Sequence, residues 1–226
     1  MDDTALMIRL LGRLRKEMNG AVVETMRQCG VNYPLNYGVS LITIRDIAKE
    51  YAPNHSLAQL LYKQQVRELK FAAAWIDDPQ QVDAEQMRRW ADDFVYTEQV
   101  EQAVYALFRY VSPSVAEPVA LEWLKSFSTI KSYAGLLTAA AVISPESEKE
   151  SLDALFDAAD QITRDFVDLD CNVVRGIETL FMKLAEISPS YRGRVQVAAA
   201  IYENTSDLAI RSLASELKWR LEYLGR

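Results

Sequence analysis

Hydrophobic side chains recur along this chain with a helical period, and no segment sustains the alternation that is typical of a β-strand. The first stripe comprises Leu6, Leu10, Leu14 and Met18. A loop rich in turn-forming residues, GVNYPLNYGVS, follows, and Ser40 at its end is placed to cap the next helix. The apolar residues of that helix are Ile44, Ile47 and Ala48. The pattern predicts an all-α protein.

Later helix starts are marked by capping residues and prolines. Two have the spacing of a capping box: Asp83 with Gln86, and Ser114 with Glu117. Two place proline at the first helical position, where its missing N–H costs nothing: Ser144-Pro145 and Ser188-Pro189.

From residue 66 onward the predicted helices form pairs. The pairs are 66–76 with 83–94, 98–111 with 114–127, 130–143 with 146–163, and 172–187 with 190–202. Their starts lie 32, 32 and 42 residues apart, as 98 − 66, 130 − 98 and 172 − 130 give. This recurrence predicts one domain, residues 1–226, built as an α-solenoid of HEAT-like helical hairpin repeats. A compact irregular helical bundle is the alternative. In a solenoid, the functional surface is expected on the concave inner row of helices.

The charge balance opposes general affinity for nucleic acids. The net charge is −7, and residues 77–122 hold ten Asp and Glu against three Arg. Residues 164–226 hold nine charges of each sign. An anionic partner should therefore bind the C-terminal half or the N-terminal quarter.

Several classes of protein are excluded by composition. Two distant cysteines, Cys29 and Cys171, give no disulfide framework, and with one histidine, His55, a Cys/His metal site is not expected. No apolar run has the length of a membrane span, and the N-terminus does not read as a signal peptide. The sequence predicts a cytoplasmic protein that uses no metal and no cofactor.

Four segments resemble the AlkD-like DNA alkylation repair family. They are MRQCGVNYPLNYGVSLITIRDIAKEY at 26–51, LLYKQQVRELKFAAAWIDD at 60–78, TEQVEQAV at 97–104 and VVRGIETLFMKLAEISPSYRGRV at 173–195. The resemblance implies a HEAT-like solenoid. It also implies that active members remove positively charged alkylated purines from duplex DNA without a metal, using an aspartate, an arginine and aromatic side chains. A carboxylate can stabilise the positive sugar that develops, and aromatic faces can hold a cationic base.

Carried over by position, this pattern is altered here. The aspartate falls on Glu101, which keeps the charge and adds a methylene, and the preceding aromatic pair falls on Tyr96 and Thr97. The arginine falls on Ala134 and the late tryptophan on Thr179, so neither group is kept. Lys131 or Tyr133 could replace the lost contacts. The resemblance thus implies Glu101 as the catalytic carboxylate and Tyr96 as a DNA-facing ring.

The residues themselves permit a site at Glu101. The apolar face of its helix comprises Val100, Val104, Leu107, Phe108 and Val111. At about 100° per residue, Glu101 lies on the flank of that face, whereas Glu98 points away from it. The cations placed to contact DNA are Lys131, Arg175, Lys183 and Arg194.

Other conspicuous residues are assigned structural roles. Arg67 and Glu68 should join neighbouring helices or simply meet water, and His55 should lie in a loop. The four tryptophans fall in apolar stripes and are expected in the core: Trp75, Trp90, Trp123 and Trp219.

Two functions remain open at this point. The first is a DNA alkylation repair-like protein that binds duplex DNA, either as a divergent glycosylase that excises cationic alkylated purines or as a binder of damaged duplex. The alternative is a non-enzymatic helical-repeat scaffold that binds a protein partner, which the acidic balance and the missing arginine and tryptophan favour.

Overall fold

Helices dominate residues 2–165 and 169–224, which the computed structural model describes. Within these ranges no strand forms, and Leu35 and Val66 make an isolated bridge. The all-α prediction is confirmed. The helices are α1 Asp3–Leu14, α2 Gly20–Gln28, α3 Leu41–Ala48, α4 His55–Tyr62, α5 Arg67–Ile76, α6 Ala84–Ala91, α7 Thr97–Ala106, α8 Pro113–Leu124, α9 Thr129–Val142, α10 Lys149–Asp165, α11 Cys171–Ile187, α12 Pro189–Tyr202 and α13 Leu208–Leu224.

The chain divides into two compact units, and unit 1 comprises Met1–Gln86 with Tyr105–Leu107. In it α1 packs against α3 and α4, and α5 also packs against α3 and α4. Leu10 and Leu14 of the predicted stripe are fully buried, whereas Met18 is exposed because it lies beyond the end of α1. Ser40 caps α3 as predicted, since its hydroxyl accepts a hydrogen bond from Thr43 N at 3.1 Å.

A buried ion pair attaches the loop before α3 to α5. The Glu68 carboxylate is fully buried and accepts hydrogen bonds from the backbone N–H groups of Tyr37 and Val39 at 3.1 and 3.3 Å. Arg67 Nη1 lies 3.4 Å from the same carboxylate and donates to the carbonyl of Val39 at 3.1 Å. A buried charge is tolerated when it is paired and hydrogen-bonded in this way. The expected structural role of the pair is confirmed.

Unit 2 comprises Met87–Val104 with Phe108–Arg226. Here α8 packs against α9 and α10, α9 against α11, and α11, α12 and α13 against one another. The predicted pairing of α11 with α12 is confirmed. The predicted pairings of α7 with α8 and of α9 with α10 are wrong, because the main partner of α8 is α9. Helix α11 thus packs directly against both α9 and α13.

Two predicted helix starts need correction. Helix α8 begins at Pro113, and Glu117 turns inward to accept hydrogen bonds from Ser147 and Ser151 instead of capping. Helix α10 begins at Lys149, because Ser144 and Ser147 form a turn before it. The start at Ser188-Pro189 is confirmed, and Gln86 N donates to Asp83 Oδ1 at 2.7 Å at the start of α6.

The tryptophans divide between core and surface. Trp90 and Trp123 are 1% and 2% exposed and lie on Phe108, with ring centroids 6.3 and 6.0 Å away. Trp75 is only partly buried. The core prediction is wrong for Trp219, which is 55% exposed on α13 and packs against Tyr223 of the same helix.

Candidate active site

The side chain of Gln99 fixes the turn that leads into α7. This residue is 7% exposed, and its Oε1 accepts hydrogen bonds from the backbone N–H groups of Val95 and Tyr96 at 2.8 and 2.9 Å. Its Nε2 donates to the carbonyl of Asp93 at 3.3 Å. A side chain at the third helical position that reaches back in this way satisfies N–H groups that have no helical partner. Tyr96 is thereby held, partly buried, immediately before α7.

Glu101 of α7 accepts a hydrogen bond from Tyr133 of α9. The phenol oxygen of Tyr133 lies 2.9 Å from Glu101 Oε1. Tyr133 is 3% exposed, whereas Glu101 is only partly buried. Among the described residues, no other donor contacts the Glu101 carboxylate. One carboxylate oxygen is thus fixed by the protein, and Oε2 is left for water or a ligand.

A glycine lets α11 approach Tyr133 closely. A Cβ at Gly176 would lie 2.9 Å from Cβ and Cδ1 of Leu136 and 3.4 Å from Cδ2 of Tyr133. The first two distances are shorter than side-chain carbons tolerate. Gly176 therefore sets the spacing between α9 and α11, and it brings the next residue back along the chain, Arg175, within electrostatic range of Tyr133.

The electrostatics of this group keep the phenol protonated. Burial raises the pKa of Tyr133 well above its ordinary value, and the hydrogen bond to Glu101 raises it further. The positive charge of Arg175 opposes this shift of the Tyr133 pKa. At neutral pH, the Tyr133 phenol consequently keeps its proton and donates a hydrogen bond to Glu101.

Lys131 lies two residues before Tyr133 and is paired with an acid. Its ammonium is 2.7 Å from Oδ1 of Asp92, and both side chains are partly exposed. A phosphate would have to compete with Asp92 for this lysine. Lys131 nevertheless lies on α9, the helix that carries Tyr133.

Arg175 is the predicted cation with the fewest constraints. It is exposed, and it forms no ion pair within the described ranges. Lys183, two turns later on α11, is partly buried, and its ammonium lies 3.7 Å from Glu186. Glu178 lies between them and is held by Arg220 at 3.0 Å. Burial raises the pKa of Glu178, and the charges of Arg220 and Arg175 oppose that shift.

Arg194 belongs to a different cluster, between α10 and α12. Its guanidinium forms ion pairs of 2.5 Å with both Asp153 and Asp157, and it lies over the ring of Phe156 at 4.0 Å from the centroid. Tyr191 donates to the same Asp153 at 2.9 Å. These contacts give Arg194 a structural role in holding α12 against α10, so a phosphate would have to displace two carboxylates to reach it.

The two family positions that this sequence does not keep have different surroundings. Ala134 is fully buried, so an arginine could not reach a ligand from that position in this chain. Thr179 is exposed, and its hydroxyl donates to the carbonyl of Arg175 at 2.7 Å. The cation and aromatic functions of these two positions must therefore come from other residues, and the exposed Arg175, within electrostatic range of Tyr133, is the candidate for the cation.

The sequence did not indicate the environment of His55. This residue is the first of α4 and not part of a loop, and its Nδ1 lies 2.7 Å from Oδ1 of Asp77. Burial raises the pKa of Asp77, while the hydrogen bonds from His55 and Gln86 oppose that shift. The two residues are 22 positions apart, and no periodicity joins them.

The comparison with protein families identifies the chain. The family model described as DNA alkylation repair enzyme matches residues 10–168. The chain belongs to this family. Among curated proteins, none matches it.

A solved structure supports the fold of this family member. It is described as coming from "a new family of proteins related to the HEAT-like repeat DNA glycosylases with affinity for branched DNA structures". The two share a TM-score of 0.67 and 17% identity over 96% of this chain and 94% of that chain. The predicted class, an α-solenoid of HEAT-like helical hairpin repeats, is confirmed.

Two further properties concern only the part of the chain that the structure describes. No helix there is both long enough and apolar enough to cross a bilayer. The His, Cys, Asp and Glu side chains there form no group of three or more that could hold a metal ion.

Proposed function

We propose that this protein binds duplex DNA and excises cationic alkylated purines, with Glu101 as the catalytic carboxylate. The observation that carries the proposal is the hydrogen bond of 2.9 Å that holds Glu101, at the family's carboxylate position, against the buried phenol of Tyr133. Asp160 accepts a hydrogen bond from the buried Tyr202 in the same way, so it is the combination of this fixed orientation with the family's carboxylate position that supports Glu101. Pre-organised charges of this kind are what stabilise developing charge in active sites.

Excision of a base that is already cationic requires little from the protein beyond a fixed negative charge. Excision breaks the bond between C1′ of the deoxyribose and the alkylated base. The electron pair of that bond goes to the base, which was cationic and leaves neutral. Positive charge then develops on the sugar, and a water molecule adds to C1′ and loses a proton. Glu101 would face the developing positive sugar and orient this water with its second oxygen.

Tyr96 and Arg175 supply the remaining functions in this proposal. We assign contact with the cationic base to the ring face of Tyr96, whose backbone is held at the start of α7. Arg175 is exposed and electrostatically linked to Tyr133, so it is placed to bind a phosphate beside the lesion. Lys131 and Lys183 contribute less, because their acidic partners compete with phosphate.

The direct test is release of methylated purine from alkylated duplex DNA, run beside a binding titration with undamaged duplex. We expect base release in single-turnover conditions and weak binding that falls as salt is added. Binding without release would support a DNA-binding member of the family that lacks excision. The solved structure's family is described as having affinity for branched DNA, so a branched duplex belongs in the same titration.

A protein-binding scaffold is the second candidate. Two observations favour it: Lys131, Lys183 and Arg194 are engaged with acids, and α12 exposes Val197 and Ile201, which are 62% and 56% exposed. If the protein shows no DNA binding and no base release at low salt, this alternative is favoured over the DNA-directed function.

A further inference from the structure

A second cluster of aromatic and cationic side chains lies within unit 1, and it contains none of the residues of the proposed excision site. The Lys49 ammonium lies 5.2 Å from the ring centroid of Trp75. Trp75 and Tyr105 meet edge to face, with centroids 5.6 Å apart and planes at 73°. Edge-to-face packing and a cation over an indole are both favourable arrangements. The cluster is therefore a defined structure and not a chance approach of surface groups.

Exposure separates the two rings. Tyr105 is 55% exposed, whereas the Nε1 atom of Trp75 is buried and has no hydrogen-bond partner among the residues that the structure describes. A buried N–H without an acceptor carries a desolvation cost, which packing must outweigh. Trp75 thus acts as a rigid support, and Tyr105 presents aromatic surface to solvent on that support. A ring that served only the core would be buried, as Trp90 is at 1% exposure.

Positive charge flanks this aromatic surface. Lys49 is exposed, and the neighbouring acid, Glu50, is neutralised because Arg13 binds both of its oxygens at 2.6 Å. Arg45 lies one turn before Lys49, and its charge interacts with Tyr105. Asp46 offsets part of this charge, since its Oδ1 accepts from Arg45 Nε at 2.8 Å. Lys49 therefore lies beside Trp75, and the charge of Arg45 reaches Tyr105.

We propose that Tyr105 stacks on an unpaired base of single-stranded DNA while Lys49 and Arg45 contact the neighbouring phosphates. An exposed ring with flanking cations is the arrangement that proteins use to bind single strands without sequence preference, because every base has a stacking face. This inference rests on the proposed DNA binding and extends it, since it predicts a preference for DNA that contains unpaired bases. Paired bases in a duplex could not reach the ring without unstacking.

The test measures binding of the full chain to a short labelled oligothymidylate and to a blunt duplex. We expect Tyr105→Ala to weaken oligothymidylate binding roughly tenfold, which is the usual loss for one stacked base. Tyr105→Phe keeps the ring and should bind as the parent does. Neither change should alter duplex binding or the release of alkylated purine. Thermal unfolding of both variants establishes that the fold is kept.

The chain supplies matched controls. Tyr110 of unit 2 is 61% exposed and has Arg109 over its ring at 5.4 Å, so it is a second exposed ring with a cation that does not belong to the cluster. Tyr110→Ala should leave oligothymidylate binding unchanged. Lys49→Ala should reduce the slope of log affinity against log salt by about 0.7, the value for one phosphate contact on a single strand. Lys63→Ala, at an exposed lysine outside the cluster, should not change it.

Each outcome decides the inference. Parent-like binding by Tyr105→Ala overturns it, and so does an equal loss in Tyr105→Phe, which would assign the effect to the hydroxyl. Failure of the parent to bind oligothymidylate also overturns it. Because purine release from duplex DNA is measured separately, that failure would leave the proposed excision by Glu101 standing, and loss of release alone would leave the stacking site standing.

Discussion

The phenol of Tyr133 donates a hydrogen bond of 2.9 Å to the carboxylate of Glu101. The donor side chain is 3% exposed, whereas solvent can reach the acceptor. The donor is fixed by packing between α9 and α11, so it restrains the acceptor and not the reverse. A buried hydroxyl needs a partner, and Glu101 is that partner here. The orientation of the carboxylate is consequently set by the fold, which is a condition for electrostatic catalysis.

Replacement of Glu101 by glutamine tests its charge. The amide keeps the size of the side chain, and its oxygen can still accept from Tyr133, but the negative charge is lost. We expect release of alkylated purine to slow on the order of 10²-fold or more, as for other pre-organised electrostatic groups. Stability should change little, since the residue is only partly buried. Single-turnover release rates at saturating enzyme measure the effect.

Two further variants sharpen this test. Glu98 lies on the same helix, three residues earlier, and the Glu98→Gln variant should release base at the parent rate. Glu101→Asp restores the side chain that the family resemblance favours, but it withdraws the carboxylate by one methylene from Tyr133. We expect its rate to fall if the 2.9 Å contact matters. Parent-like release by Glu101→Gln would exclude Glu101 as the catalytic group.

Tyr133→Phe removes the hydrogen bond and keeps the buried ring. We expect roughly a tenfold lower release rate, because the carboxylate loses its fixed orientation, and a stability loss of about 1 kcal/mol for the lost hydrogen bond. Tyr202→Phe is the matched control, since Tyr202 is 4% exposed and donates to Asp160 at 2.5 Å. It should lose similar stability and keep the parent rate. Equal rates in both variants would assign Tyr133 a purely structural role.

The positions of the helices could be predicted better than the contacts between them. Helical periodicity and caps located most helices to within a few residues, because local patterns determine where helices start and end. Packing partners were harder to predict. Helix α9 buries Tyr133, Ala134, Leu136 and Ala139 together with Ser132 and Thr138, so apolar and polar positions around the helix are covered alike. With little polar face left on α9, the sequence could not show that it packs on α8 and α11.

The site shows the same division. Glu101 was found through resemblance, but its contact with Tyr133 depends on how closely α7 and α9 approach, and the two residues are 32 positions apart. The ion pairs that engage predicted DNA-binding cations were also hidden. Lys131 pairs with Asp92 over 39 positions, and Arg194 pairs with Asp153 over 41. Contacts at such separations are set by tertiary structure and leave no local pattern.

The salt dependence of duplex binding distinguishes the cations. Arg175 is exposed without an ion pair in the described ranges, so Arg175→Ala should reduce the slope of log affinity against log salt by about 0.9, equivalent to one phosphate contact on duplex DNA. Lys183→Ala should have a smaller effect, because Glu186 lies 3.7 Å from its ammonium. Arg194→Ala should leave the slope unchanged and lower stability instead, since it removes the guanidinium that joins α12 to Asp153 and Asp157 of α10. An unchanged slope in Arg175→Ala would remove that residue from the interface.

Gly176→Ala tests whether the spacing of α9 and α11 controls the site. The added Cβ would lie 2.9 Å from two carbons of Leu136, so α11 must move or Leu136 must leave its rotamer. We expect a stability loss of about 1–3 kcal/mol from overpacking, and a lower release rate because Arg175 and Tyr133 shift with the helices.

Gly193→Ala is the control for helix propensity, since a Cβ there meets nothing within 4 Å in α12. It should be neutral or stabilising by up to about 1 kcal/mol, and it should leave release unchanged. Urea denaturation and single-turnover release measure both variants. If Gly176→Ala is destabilised but releases purine at the parent rate, Glu101 acts independently of the α9–α11 spacing. If the two alanine variants are equally stable, the close approach at Gly176 does not constrain the fold.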